Sequence, residues 1–213
     1  MPGRPLFAPA FLARRIGRVS VNRFENWFCA SSYWRRMTRK QVIPWLLAGT
    51  DLGEHVLEIG AGPGAATEEL RKRAGRVTSI EYSHAFAAGL LERIQSANGD
   101  VLQADASALP FPEKTFSAAV AVLVLHHLKL QELQERAFAE VFRVLRPGGV
   151  FLAIEIQDGW LQRVGHMRST FVPVRPSSVP QRLAALGFSS VSVDFLRSAY
   201  RLRALRARNA DHC

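Results

Sequence analysis

VLEIGAGPGAAT, residues 56–67, is the stretch of sequence that decides the fold of this chain. Its first four residues predict a short apolar strand, and its last residues predict the start of a helix. Between them, Gly60, Gly62 and Gly64 allow a sharp turn, and they let bare backbone N–H groups approach a ligand. A strand, a glycine turn and a helix in this order predict a nucleotide-binding unit of an α/β protein.

Glu58 distinguishes this turn from a dinucleotide-binding turn. The glycine spacing is G-x-G-x-G rather than G-x-G-x-x-G, and the carboxylate lies two residues before the first glycine. A carboxylate in this position opposes a pyrophosphate but favours a ligand that carries an ammonium and a sulfonium group. We therefore predict S-adenosylmethionine as the cofactor.

Length and composition limit the class of protein. The 213 residues are enough for a full hydrophobic core, and 48% apolar with 22% charged residues is typical of a globular protein. No apolar run is as long as a membrane span. The two cysteines, Cys29 and Cys213, lack metal-ligand spacing, so the sequence predicts no disulfide framework, no metal site and a reducing, cytoplasmic compartment.

The net charge of +10 belongs to the two ends of the chain. Residues 1–50 carry nine Lys or Arg and one acid, and residues 161–213 carry nine basic and two acidic residues. Residues 51–160 carry ten basic and fifteen acidic residues. Basic flanks are typical of contact with nucleic acid, anionic lipid or acidic substrates, and also of solvated surface. We favour solvated surface, keep an anionic membrane surface as a further partner, and regard nucleic acid as the weaker alternative.

The charge and the aromatic pattern divide the chain into a basic arm with a helical lid, residues 1–49, and a cofactor-binding domain, residues 50–213. Residues 1–21 are rich in Pro and Arg and predict an arm rather than a secretory signal. Asn22 can cap a following helix, in which aromatic residues recur at helical spacing. They are Phe24, Trp27, Phe28 and Trp34. Such a stripe packs on the core or forms the wall of a substrate pocket, and both interpretations remain open.

Strands and helices alternate after the glycine turn, which predicts a parallel sheet with right-handed crossovers. The predicted strands cover residues 54–59, 76–80, 101–104, 116–125 and 150–156. The predicted helices cover residues 65–74, 83–95, 131–145, 159–168 and 180–186. Two last strands, over 189–196 and 200–205, have so short a connection that they must be antiparallel.

Five motifs occur in a fixed order: VLEIGAGPG, the acid in SIEYS, QADASALPF, the strand that ends in VLHHL, and LRPGGVF. In this order they resemble the class I S-adenosylmethionine-dependent methyltransferases of methyltransferase type 11, a small-molecule group that includes enzymes of ubiquinone and menaquinone biosynthesis. The resemblance implies an α/β, Rossmann-like, doubly wound seven-stranded sheet of order 3-2-1-4-5-7-6 with strand 7 antiparallel. Ser117 departs from the family, which commonly has an aspartate there that serves structure.

The resemblance also assigns residues to the cofactor. Glu58, Gly60, Ala61 and Gly62 would hold the methionine end, within the turn that Gly64 completes. Glu81, at the tip of the second strand, would accept the ribose hydroxyls, a role that its distance from the glycine turn also favours. The other assigned contacts are with the adenine or along the cofactor: Tyr82 on the adenine ring, Asp105 on its amino group, Ala106 N–H on a ring nitrogen, and Val122 and Leu123 at the end of the fourth strand.

The predicted reaction is in-line transfer of a methyl group to a small, lipophilic acceptor, in which the enzyme mainly aligns the reactants. An acceptor that holds a proton at neutral pH needs a general base, and His126, His127 and Glu155 follow strands at the ligand-binding edge. His126 and Glu155 are the predicted catalytic residues. Two alternatives remain: an RNA methyltransferase that uses the basic flanks, and a module that binds the cofactor or a partner without catalysis.

Overall fold

The computed structural model describes residues 22–94 and 98–208. The predicted arm over residues 1–21, Cys213, and the last residue of the helix predicted over 83–95 lie outside the described residues. Seven strands form one sheet, and they are β1 (His55–Ile59), β2 (Arg76–Glu81), β3 (Gly99–Gln103), β4 (Phe116–Val122), β5 (Leu145–Ile156), β6 (Phe188–Leu196) and β7 (Ala199–Arg206).

Helices precede, connect and cover these strands. The α-helices are α1 (Arg23–Ala30), α2 (Ser32–Met37), α3 (Ile43–Leu47), α4 (Ala65–Leu70), α5 (His84–Arg93), α6 (Gln131–Val144), α7 (Trp160–Gly165) and α8 (Val179–Ala185). One turn of π-helix, Thr38–Val42, joins α2 to α3, and a 3₁₀ turn, Leu125–His127, follows β4. Among the described residues, no helix has both the length and the apolar character needed to cross a bilayer.

The strand order is β3-β2-β1-β4-β5-β7-β6, which confirms the predicted sheet. The pairs β1–β2, β1–β4, β2–β3 and β4–β5 are parallel, and β7 is antiparallel to both of its neighbours. The carboxyl ends of β1, β2, β4 and β5 therefore meet at one edge of the sheet, where open α/β folds bind their ligands.

Two predicted strand boundaries were wrong by three residues or more. β4 ends at Val122 rather than at residue 125, because Leu123 adopts a left-handed conformation with φ of 53° and turns the chain away from the sheet. β5 begins at Leu145 rather than at residue 150, and it includes the Pro-Gly-Gly sequence that predicted only a helix stop. Leu145 pairs with Phe116, and a register shift after this pair accommodates the irregular backbone of Gly148, whose φ is 80°.

The hydrophobic core lies on both faces of the sheet. One face packs against α6 and α8, and the other packs against α3 and α4. The second cluster crosses the predicted boundary at residue 49, because Ile43 and Leu46 of α3 are buried in it together with Val56 of β1. The division into an arm with a lid and a domain remains a prediction.

The predicted cap of α1 is present. The Asn22 side chain accepts from the N–H of Glu25, and the Glu25 carboxylate accepts from the N–H of Asn22. The amide of Asn22 also donates to the carbonyl oxygens of Gly165 and Met167, so the start of α1 is joined to the end of α7. The residues of the aromatic stripe differ in burial: Trp34 is buried, whereas Trp27 is exposed.

Ser117 occupies a structural position at the start of β4. Its hydroxyl lies within hydrogen-bonding distance of the carbonyl oxygens of Leu52 and His55, at 2.7 and 2.9 Å, and it accepts from the N–H of His55 at 3.0 Å. The hydroxyl therefore joins β4 to the entry of β1, away from the carboxyl edge.

Candidate functional site

The glycine turn joins β1 to α4 at the carboxyl edge of the sheet. Gly60, Gly62 and Gly64 have φ values of 71°, 51° and 85°, a region that glycine adopts without strain. A Cβ on Gly60 would lie 2.2 Å from Cγ2 of Val124, whereas a Cβ on Gly62 would meet no atom of residues 22–94 and 98–208 within 4 Å. The turn is therefore packed tightly below Gly60 and is open above Gly62.

The N–H groups of the turn have partners within the protein, which differs from the bare donors that the sequence predicted. The N–H groups of Gly60 and Ala61 both donate to the carbonyl oxygen of Ile80, and that of Gly64 donates to Ala61. The N–H of Gly62 donates to Oε2 of Glu81 at 2.8 Å. Because β2 runs beside β1, the acceptors at its end bind the N–H groups of Gly60, Ala61 and Gly62 and fix the shape of the turn.

Glu58 lies on β1 below the turn and is 1% exposed. Its Oε2 accepts from the hydroxyls of Thr67 and Ser79, both at 2.6 Å, and its Oε1 is buried without a hydrogen-bond partner among the described residues. Burial raises the pKa of Glu58 to about 7; the two hydroxyls oppose this rise, and the nearby charge of Glu81 adds to it. A buried carboxyl with one unpartnered oxygen is ready to pair with a cation.

Glu81 ends β2 beside the glycine turn. Its Oε2 accepts from Gly62, its Oε1 accepts from the N–H of Ser83 at 2.8 Å, and burial raises its pKa against these hydrogen bonds. The ring of Tyr82, the next residue, is exposed. The structure therefore brings together a carboxylate and an exposed aromatic ring at the end of β2, as the sequence predicted.

Asp105 and Ala106 follow β3 in a short loop. Oδ1 of Asp105 accepts from the N–H and the hydroxyl of Ser107, each at 2.8 Å, which orients the carboxylate. Helix α6 supports the continuation of this loop, because Glu140 accepts from the N–H of Leu109 and Arg143 donates to the carbonyl oxygen of Leu109. The sequence did not predict this support.

The end of β4 connects the glycine turn to β5. Val122 and the left-handed Leu123 contact the core that lies under α3 and α4. Val124, which packs against Gly60, donates its N–H to Oε1 of Glu155 at 3.1 Å, and Leu125 donates to the same oxygen at 2.7 Å. Val124 therefore contacts both the predicted cofactor turn, at Gly60, and the predicted catalytic residue Glu155.

His126 and Glu155, the predicted catalytic residues, form a buried pair. Nδ1 of His126 lies 2.5 Å from Oε2 of Glu155, and the side chains are 2% and 0% exposed. Since Glu155 also accepts two backbone N–H groups, its carboxylate holds the imidazole in one orientation. Burial and the charge of Glu155 raise the pKa of Tyr200, whose hydroxyl donates to the carbonyl oxygen of Val174.

Two further histidines lie beside His126, and the sequence did not predict the second. His127 donates its Nδ1–H to the carbonyl oxygen of Thr170 at 3.0 Å, and burial lowers its pKa to about 3, so its ring is neutral. His166 lies 5.1 Å from His126 between ring centroids and stacks on Phe171. His166 comes from α7, about 40 residues further along the chain, and no spacing in the sequence indicates that it belongs here.

The residues around the turn fit the predicted cofactor. The unpartnered Oε1 of Glu58 suits an ammonium group, and the opening above Gly62 is space that a Cβ would fill. Glu81 provides a carboxylate for two hydroxyls, and the exposed ring of Tyr82 provides an apolar face. Glu58, Gly62 and Glu81 thus lie in one contiguous arrangement that has an acceptor for a cation and acceptors for a ribose.

Comparison with known proteins shows what the chain is similar to. Residues 57–153 match the family described as Methyltransferase domain. A probable S-adenosylmethionine-dependent methyltransferase of Mycolicibacterium smegmatis is 35% identical over 57% of this chain and 44% of its own length. Demethylmenaquinone methyltransferase of Tropheryma whipplei is 31% identical over 60% of this chain and 50% of its own length. A probable ribosomal RNA small subunit methyltransferase A of Halobacterium salinarum is 39% identical over 54% and 39%.

Each of these alignments spans half or less of the curated relative. Among solved structures, the PH0226 protein of Pyrococcus horikoshii superposes with a TM-score of 0.72 at 18% identity, covering 86% of this chain and 97% of that one, which shows the shared fold. Over residues 57–153, a little under half of its length, the chain therefore matches a methyltransferase domain, and it resembles S-adenosylmethionine-dependent methyltransferases in sequence.

Proposed function

We propose that this protein transfers the methyl group of S-adenosylmethionine to a small, lipophilic acceptor. The observation that carries the proposal is the buried Glu58 on the strand that leads into the glycine turn, because its Oε1 has no hydrogen-bond partner among the described residues. A carboxyl group that is held partly protonated by burial gains a strong interaction when a cation arrives. A neutral nucleotide or a pyrophosphate gains nothing from it.

The cofactor supplies an activated methyl group on a sulfonium, so the residues of this chain mainly have to bind and align. Glu58 holds the ammonium, Glu81 holds the ribose hydroxyls, and Asp105 with the Ala106 N–H holds the adenine. Tyr82 covers the adenine ring. Gly60 lets the turn approach Val124, which fixes the position of the turn relative to the end of β4.

His126, oriented by Glu155, is proposed to act on the acceptor where it carries a proton. Glu155 orients the ring through Nδ1, so Nε2 is the only nitrogen of His126 that an acceptor hydroxyl can reach. A base role therefore requires the acceptor to enter among the three histidines. Glu155 is itself a positioning residue, because it is fully buried and accepts two N–H groups in addition to His126.

Replacement of Glu81 by Ala tests the cofactor site. Two charge-assisted hydrogen bonds to the ribose are lost, and we expect the dissociation constant of S-adenosylmethionine, measured by calorimetry, to rise ~100-fold. Glu81→Gln keeps an acceptor for the N–H of Gly62 and is expected to lose ~10-fold. The matched control is Glu92→Ala on α5, an exposed acid with the same charge change. Equal affinity of Glu81→Ala and Glu92→Ala contradicts the ribose assignment.

An anionic membrane surface is the partner that we propose. Exposed apolar side chains lie on two neighbouring helices, and we call them the apolar rim: Phe24 and Trp27 of α1, and Trp160, Leu161 and Val164 of α7. Trp27 is 67% and Trp160 77% exposed, in a chain of net charge +10. Exposed tryptophans in a basic protein are typical of interfacial binding, which would deliver a lipophilic acceptor to the histidines beside the rim.

Sedimentation with vesicles tests this surface. We expect the protein to bind vesicles that contain phosphatidylglycerol, and Trp27→Ser with Trp160→Ser to weaken binding by ~10-fold or more, because each indole contributes to insertion. Leu91→Ser removes an exposed apolar side chain on α5 and serves as the control. Binding that persists unchanged in the double variant, or binding to RNA but not to vesicles, rejects the membrane proposal.

A further inference from the structure

The cluster of His126, His127 and His166 has a geometry that methyl transfer does not explain. One ring nitrogen of each histidine lies within 4.8 Å of the corresponding nitrogens of the other two. The three residues come from two elements, the 3₁₀ turn after β4 and the end of α7. Three imidazoles that converge below the surface form a set of soft nitrogen donors.

Hydrogen bonds determine which nitrogen each ring can offer. Nδ1 of His126 faces the carboxylate of Glu155 at 2.5 Å, Nδ1 of His127 faces the carbonyl oxygen of Thr170 at 3.0 Å, and Nδ1 of His166 faces the carbonyl oxygen of Gln162 at 2.7 Å. A carbonyl or carboxylate oxygen only accepts, so each Nδ1 carries the hydrogen. In the neutral rings of His126 and His127 the lone pair is therefore on Nε2. Nε2 of His166 also faces an acceptor, Oε1 of Glu25 at 3.2 Å, so a metal ion would replace the proton that this nitrogen donates. Histidines that bind metals are held in the same way, with the second ring nitrogen donating to a carboxylate or a carbonyl.

Glu25 adds a carboxylate oxygen to these nitrogens. Its Oε1 lies 3.2 Å from Nε2 of His166, and it accepts from the hydroxyl of Ser169 at 2.7 Å. Two ligands of a tetrahedral zinc ion, each 2.0–2.1 Å from the metal, are about 3.3 Å apart. The separation of Oε1 and Nε2 already has this value, and the histidine nitrogens need to approach one another by up to about 1.5 Å, which requires rotation of the side chains.

We propose that Nε2 of His126, His127 and His166, together with the carboxylate of Glu25, bind one divalent transition-metal ion of the zinc type. Four protein ligands make a closed site, and closed zinc sites are structural. The ion would join α1, the end of β4 and the end of α7. With the ion bound, Nε2 of His126 is a ligand, so a protein that holds zinc aligns the reactants without the His126 base described above. The predicted absence of a metal site rested only on the spacing around the two cysteines.

This proposal does not depend on methyl transfer, because equilibrium metal binding decides it. The full chain is stripped with a chelator and then titrated with Zn²⁺ against a chromophoric chelator and with Co²⁺ by absorption spectroscopy. We expect one Zn²⁺ per chain, a rise of the melting temperature with Zn²⁺, and the intense visible bands of tetrahedral Co²⁺. Binding of less than one equivalent, or octahedral Co²⁺ bands, overturns the proposal.

Variants locate the ion. His127→Gln and His166→Gln are each expected to raise the dissociation constant for Zn²⁺ at least ~100-fold, and Glu155→Gln is expected to raise it ~10-fold, because Glu155 only orients a ligand. His84→Gln removes an exposed histidine on α5 and is the matched control. His212→Gln with Cys213→Ser controls for donors near the end of the sequence. Wild-type affinity in both cluster variants, with loss in the control at residues 212 and 213, also overturns the proposal.

Discussion

Replacement of Glu58 by Gln is expected to weaken the binding of S-adenosylmethionine ~100-fold at pH 8 while the fold is retained. Gln has the same shape and accepts from Thr67 and Ser79 through one oxygen, so the hydrogen bonds to Oε2 remain. What it lacks is the negative charge for the ammonium group. Removing one partner of a buried, charge-assisted interaction costs ~3 kcal/mol, which is about 100-fold in affinity.

Without the cofactor, the same substitution is expected to stabilise the protein relative to the wild type at high pH. A loss of affinity together with a gain of stability makes the test specific. The pKa of Glu58 is about 7 in the folded chain against a usual 4.5, so the folded state binds a proton more tightly than the unfolded state. The free energy of unfolding therefore falls as the pH rises from about 4.5 to about 7, by up to ~3 kcal/mol. The Gln variant has no titrating carboxyl group at this position, so its free energy of unfolding does not fall in this way. We expect its stability relative to the wild type to rise by that amount across this range.

Denaturant unfolding at pH 5 and pH 8, together with calorimetry at pH 8, checks both parts. The comparison uses the difference between variant and wild type, because the low pKa of His127 gives a rise of stability with pH in an overlapping range and cancels in the difference. Glu68→Gln on α4 is the control, since this glutamate is exposed. Unchanged affinity in Glu58→Gln argues that the ammonium group is bound elsewhere, and the cofactor site proposed at Glu58 is then wrong.

The parallel strands of the sheet could be predicted because apolar runs and the glycine turn are local signals. The order of the seven strands was implied by the resemblance of the five motifs to a known family, and the observed order agrees. The errors lie where tertiary pairing overrides a local signal. Pro147-Gly148-Gly149 is a valid helix stop in the sequence, yet the chain there still pairs with β4, because Leu145 lies opposite Phe116. Left-handed Leu123 is not visible in an apolar run, which predicts a strand that continues.

The candidate site likewise contains residues that the sequence predicts and contacts that it does not predict. Glu58 and Glu81 each follow from their distance to the glycines, and the structure places both beside the turn. Glu25 and His166 are separated by about 140 residues, and only the docking of α1 on α7 through Asn22 brings them together. A single sequence contains no signal for such a contact. The hydrogen bonds that satisfy the N–H groups of the turn were also missed, because they depend on the position of Ile80 in the neighbouring strand.

Gly60 and Gly62 look equivalent in the sequence, but substitution by Ala is expected to affect them differently. At Gly60 the new Cβ would lie 2.2 Å from Cγ2 and 2.7 Å from Cβ of Val124, and the φ of 71° adds strain. Overpacking and a left-handed alanine together cost ~4 kcal/mol, or ~10 °C in melting temperature for a chain of this size. At Gly62, where φ is 51° and no atom lies within 4 Å, only the backbone strain of ~1 kcal/mol remains.

A specific effect on cofactor binding, without a large loss of stability, is expected at Gly62 rather than at Gly60. In Gly62→Ala the methyl group would enter the opening above the turn, so we expect a folded protein whose affinity for S-adenosylmethionine falls at least ~10-fold by steric exclusion alone. In Gly60→Ala the loss of affinity accompanies the loss of stability, and adding Val124→Gly, which removes the clashing atoms, should restore part of the melting temperature. Thermal unfolding and calorimetry on the two variants and the double variant measure these effects. If Gly62→Ala binds the cofactor as the wild type does, the space above Gly62 is not where the cofactor lies, and the steric basis of the proposed site fails.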